Sequence, residues 1–119
     1  MKALRLLAAI AVAGASMAAH AHAFLDHADP KVGSVVAVAP GELRIWFTQE
    51  IEPAFSTIEV VDAAGNRVDT GRAEAGANDR TQLHVALKKL APGTYTVNWR
   101  VASVDTHPTQ GHFTFRVGP

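Results

Sequence analysis

The sequence predicts an all-β domain, an antiparallel Greek-key β-sandwich or barrel. Three observations carry that expectation. Apolar and polar residues alternate with period 2 in five short runs, Gly and Pro punctuate the gaps, and no stretch from residue 22 onward holds a helical period. Strands of this length and spacing each bury one face and pair into stacked sheets.

The first residues stand apart. Lys2 and Arg5 precede an uncharged apolar run from Leu6 to Ala15, and small residues lead to Ala19-His20-Ala21. A basic start, a short apolar stretch and an A-x-A box predict a secretory signal peptide over 1–21, leaving one domain over 22–119. The apolar run is too short for a membrane span. Ala21-His22-Ala23 is also an A-x-A box, so cleavage after Ala23 is the competing processing site.

Within the domain, "AFLDHA" and "SVVAV" read as short edge strands. In "LRIWFT" (43–48), Leu43, Ile45 and Phe47 share one face. "STIEVVD" (56–62) runs into the turn signal "AAGN", after which "RV" begins a return strand. The small, polar "TGRAEAGANDR" (70–80) reads as a loop. "QLHVAL" (82–87) points Leu83, Val85 and Leu87 inward and His84 outward. "TYTVNWRV" (94–101) aligns Tyr95, Val97, Trp99 and Val101, and "HFTFRV" (112–117) aligns Phe113, Phe115 and Val117. Tyr95, after "LAPGT", suits a corner hydrogen bond of the immunoglobulin-like kind.

Composition excludes several functions. Loss of Lys2 and Arg5 with the signal leaves nine basic against eleven acidic residues, a net −2, which argues against a nucleic-acid partner. That mild charge fits a monomer. The chain has no Cys, and its two methionines, Met1 and Met17, both lie in the signal. The exported domain would then contain no sulfur: no disulfide is available, and thiolate or thioether metal sites are excluded. Any metal must be held by nitrogen and oxygen.

The histidines are candidates for that role. His84 and His112 fall on polar strand faces, and His27 in "LDHADP" reads as a surface residue of the first edge strand or its turn. Asp105 and His107 are one residue apart before Pro108, so an extended backbone sets both on one side. The competing reading is a turn in which Asp105 accepts local N–H bonds. His22 shifts the balance. Cleavage after Ala21 makes it N-terminal, with an α-amine and a ring nitrogen that close one chelate. The reference pKa values of such groups, about 8 and about 6.5, let a strongly bound metal deprotonate both near neutrality and weaken binding in acid. With Asp105 and His107 the set is three nitrogens and an oxygen. It suits tetragonal Cu(II), which tops the divalent affinity order; zinc can use the same atoms less tightly.

"HAFLDHADPKVGS", then "LRIWFT", then "LAPGTYTVNWRVASVDTHPTQGHFTFRV" resemble the CopC family of periplasmic copper-resistance proteins, across residues 22–117. The resemblance implies a cupredoxin-like Greek-key fold and a periplasmic copper site. Its Cu(II) ligands would be His22, through amine and ring, with Asp105 and His107, and it favours cleavage after Ala21. It also implies sequestration of copper or its transfer to a CopD-type inner-membrane protein. Two departures stand out. The methionine-rich Cu(I) loop of some members has no counterpart after residue 21. Phe47-Thr48-Gln49, followed by Glu50, replaces a frequent Phe-Ser-Glu, which puts an acidic role near the site in doubt. An assisting role for His112, His27 or Glu50 is left open.

Two other functions compete. N-terminal histidine chelates also serve copper oxygenases that attack polysaccharides. An anionic Asp105 ligand would oppose the required reduction, and the domain is small and poor in aromatics, so a binding protein rather than an enzyme is the expectation. Cleavage after Ala23 would instead discard His22 and leave a metal-free sandwich module starting at Phe24.

Overall fold

The computed structural model describes residues 22–119; the signal peptide expected over 1–21, with His20, lies outside the described residues. Eight strands form two four-stranded sheets. They are β1 (Leu25–Asp29), β2 (Val35–Val36), β3 (Glu42–Phe47), β4 (Thr57–Val61), β5 (Asp69–Gly76), β6 (Asp79–Leu87), β7 (Gly93–Ala102) and β8 (Pro108–Val117). One sheet has the order β1-β3-β6-β5 and the other β2-β8-β7-β4, so the chain repeatedly crosses between layers as a Greek key requires. All pairings of three or more residues are antiparallel; the two-residue β2 runs parallel to β8.

The alternating runs turn their apolar faces inward as the sequence predicts. Leu43, Ile45 and Leu83 of one sheet meet Val60, Val97 and Phe115 of the other, all essentially inaccessible to water. Burial of side chains of this size stabilises by about 1.5–3 kcal/mol apiece and substitutes for the absent disulfides. The Tyr95 hydroxyl donates to the Ala91 carbonyl at 2.5 Å, the expected corner bond. The "AAGN" turn closes on Asp62, whose Oδ1 accepts the Ala64 and Asn66 N–H groups, and Gly65 takes the positive φ of +88°.

One expectation is overturned. Residues 70–80 are not a loop: β5 occupies Asp69–Gly76, and a short turn at Ala77-Asn78 leads into β6. This edge strand is largely exposed, so no buried face imposes an alternating pattern. It is held by main-chain bonding to β6, with register shifts between Thr70 and Glu74 and at its end. The expected strands at 94–101 and 112–117 are also longer, the latter beginning at Pro108.

Asp69 anchors this edge. Its buried carboxylate accepts the Val60 N–H at 2.8 Å and pairs with Arg67 Nη2 at 2.6 Å. Burial alone would raise its pKa, but the Arg67 and Val60 hydrogen bonds outweigh it and hold the carboxyl below its ordinary value. A depressed folded pKa gives stability that is fully present above the unfolded value, about 3.9, and is lost as pH falls through the folded value. Asp69→Ala is expected to cost about 2 kcal/mol at pH 7, chiefly by leaving the buried Val60 N–H without its acceptor, since Arg67 is half exposed. Melting curves from pH 7 down to pH 2.5 check this: the gap between wild type and variant should be constant at the top of the range and shrink below about pH 4.

Candidate metal centre

The site lies at one end of the sandwich, where the N-terminal segment meets the β7–β8 connection. Ile51 is the foundation. It is fully buried, its N–H donates to the Arg80 carbonyl at 2.9 Å, and it bridges to Ser103, so it ties the two sheets beneath the connection. The Glu50 carbonyl accepts the Val104 N–H from the same connection.

The connection is a turn rather than extended chain, which corrects the backbone expected for Asp105 and His107. Thr106 has φ +72°, and its N–H donates to the Ser103 carbonyl at 2.8 Å. A non-glycine residue adopts this conformation only where neighbours enforce it. Here Asp105 Oδ1 accepts both the buried Ser103 hydroxyl and the His107 N–H, the latter at 3.2 Å. The local-turn reading and the shared-side reading of Asp105 therefore hold together, because Oδ2 still lies 3.3 Å from His107 Nδ1. The Ser103 hydroxyl, with help from the His107 N–H, pulls the Asp105 carboxyl below its ordinary pKa. Asp105 is thus an exposed, oriented anion. With His107 Nδ1 turned to a carboxylate, Nε2 is the nitrogen left for a metal.

His22 comes to this turn from the far end of the sequence. Its ring packs edge-on against His107, with centroids 4.9 Å apart and planes at 82°, and Phe24 flanks it at 6.2 Å. An imidazole nitrogen binds a divalent ion at about 2 Å, so two rings sharing an ion have centroids roughly 4.5–6 Å apart. The pair fits that spacing. Among the described residues, no three His, Asp or Glu side chains stand together as a ready-made ion cage. The α-amine of His22, a further nitrogen donor, would exist only once its bond to Ala21 is cut.

The other histidines lie elsewhere. His27 stacks on Trp46 at 4.4 Å, with Nδ1 2.7 Å from Asp26 Oδ2, on edge strand β1. His84 faces outward between Arg44 and Glu74, with Nδ1 3.2 Å from Gln82 Oε1. His112 is exposed opposite Asn98, five positions along the chain from His107, about 16 Å in extended backbone. Sequence reasoning missed Ser103 and Thr109, although Ser103, Asp105, His107 and Thr109 share an every-second-residue spacing. It also missed that Thr48 pairs with Phe24.

The CopC domain family matches residues 25–118. The chain belongs to the CopC family. Protein YobA of Escherichia coli strain K12 is 40% identical over 98 residues, covering 82% of this chain and 79% of YobA. The crystal structure of CopC from Methylosinus trichosporium OB3b superposes with a TM-score of 0.77 at 35% identity, covering 82% of this chain and 95% of that one. PcoC of Escherichia coli, described as a methionine-rich copper resistance protein, superposes at 0.72 with 29% identity, covering 82% and 99%. This CopC-family chain differs from that description, having no methionine after Met17. Its function is copper-related, as in its relatives, and no helix among the described residues is long and apolar enough to cross a membrane.

Proposed function

We propose that this chain is an exported, periplasmic Cu(II)-binding protein that begins at His22 and sequesters copper or passes it on. Two imidazoles from opposite ends of the domain, packed at 4.9 Å beside an oriented carboxylate, carry the reading. His22 would give its amine and ring, His107 its Nε2, and Asp105 an anionic oxygen. With nitrogen and oxygen donors alone, the site favours the cupric over the cuprous ion. The chain acts by binding rather than by catalysis. Asp105 stabilises the oxidised ion, and its pairing with His107 leaves that ring oriented before copper arrives. A CopD-type inner-membrane protein is the proposed recipient, and the working form is a monomer.

Packing supports an N-terminus at His22 over one at Phe24. Ala23 is fully buried and its carbonyl is bonded by Thr109, whereas Phe24 is half exposed. Cleavage after Ala23 would remove a core residue and a cross-chain hydrogen bond together. Cleavage after Ala21 keeps both and frees the His22 amine. Intact-mass measurement of the exported protein, with and without Cu(II), tests both statements. The expected result is a chain of residues 22–119 that gains one copper. Material starting at Phe24, or a chain from His22 that takes up no copper, would overturn the reading.

A further inference from the structure

His22 precedes the first strand pairing, at Leu25, so β1 does not itself fix the ring. Three contacts hold the segment between. The Ala23 methyl is buried in the core. Phe24 is bonded twice to Thr48: its N–H donates to Thr48 Oγ1 at 3.0 Å, and the Thr48 N–H donates to its carbonyl at 2.8 Å. Nearest the metal centre, the Thr109 hydroxyl donates to the Ala23 carbonyl, joining residues 86 apart in sequence. Ala23 follows His22 directly, and Thr109 stands two residues beyond His107.

We propose that Thr109 is a positioning residue of the copper site, its hydroxyl setting the register in which His22 stands beside His107. This rests on the copper-binding reading above. Without that bond, the hydrogen bonds nearest to His22 are those of Phe24, two residues from the ring. Each residue released restores two backbone torsions, and their ordering would then oppose copper capture. The hydrogen bond that Thr109 makes goes to the main chain of Ala23, not to a ligand atom. It acts by reducing the freedom of the chelating end before the ion arrives.

The test uses the processed protein beginning at His22. Thr109→Val keeps the shape and β-branching but removes the donor; Thr109→Ser keeps the donor. Chelator-competition titration should show Cu(II) affinity about tenfold weaker in Thr109→Val, the loss of one well-made hydrogen bond, and within about twofold of wild type in Thr109→Ser. In copper-free protein, the Phe24 amide should exchange with solvent faster in the valine variant than in the serine variant. The cupric EPR spectrum should change from one species to a mixture as His22 samples several placements. If Thr109→Val melts too low to compare, Thr109→Ala against Thr109→Ser replaces it.

Equal affinity, exchange and spectrum in the donor-free and donor-bearing variants would overturn the inference. His107→Ala run alongside separates the two failures. If that variant loses copper while Thr109→Val does not, only the positioning role fails; if it binds as wild type does, the site assignment fails and this role with it.

Discussion

Alanine at His107 is expected to weaken Cu(II) binding by about 100-fold or more, and alanine at His22 by a similar factor, while His84→Ala and His112→Ala leave it within about twofold. Loss of an outer partner of a metal ligand already costs 10–100-fold, and loss of the ligand itself costs more. His22→Ala leaves the amine but opens the chelate that its ring closes. His107→Ala removes the donor that belongs to the folded turn and leaves Asp105 without the ring beside Oδ2. His84 and His112 are sound controls because each faces outward on the middle of a strand, away from the Ser103–Thr109 turn. The measurement is chelator competition at pH 7 with processed protein, alongside the cupric EPR spectrum. Unchanged affinity in His107→Ala would sink the assignment, and a large loss in His84→Ala would move it to the outer face of the β1-β3-β6-β5 sheet.

How much of this was legible beforehand differs by element, for physical reasons. Strands with one buried face advertise themselves: Tyr95, Val97, Trp99 and Val101 alternate with polar residues because water and core alternate around β7. Edge strand β5 has no such constraint, and its small residues satisfied the composition of a loop while the main chain paired with β6. Asp105 and His107 were identifiable as a pair, yet the turn between them was not. Its positive φ at Thr106 depends on hydrogen bonds from Ser103 and His107 to one carboxylate, and on Ile51 buried below. The meeting of His22 with His107 was expected from the chelating chemistry of a freed N-terminal histidine and from the family resemblance, not from strand periodicity. Period and propensity describe neighbours along the chain, whereas Ala23 and Thr109 are joined by the tertiary fold alone. Threonine at 48 and 109 carries no signal by itself, being ordinary both within a strand and just past the end of one.

A second large effect is expected at Gly111. It lies opposite Trp99 in the β7–β8 register, and the indole covers it. A Cβ placed there would sit 2.6 Å from Trp99 Cζ2 and 2.9 Å from Cε2, distances at which something must move. The obstacle is a rigid ring that packs edge-on against Phe47 at 5.3 Å and is nearly buried, so it has no free direction of retreat. Gly111→Ala is therefore expected to destabilise by about 2–3 kcal/mol, the upper part of the range for overpacking a tight core. For a domain of this size that is a fall in Tm of roughly 10–20 °C. A melting curve and the tryptophan emission maximum measure both the loss and the ring's displacement. Trp99→Leu in the Gly111→Ala background distinguishes collision from any other effect. If the clash is the cause, the double variant should be more stable than the sum of the two single changes predicts. Strict additivity, or a Tm for Gly111→Ala within about 2 °C of wild type, would show that the indole can move aside after all. Because Thr109 lies two residues before Gly111 on the same strand, the same collision should also loosen the Ala23 bond. Copper affinity in Gly111→Ala is then expected to fall with stability rather than independently of it, and Trp99→Leu should restore part of both.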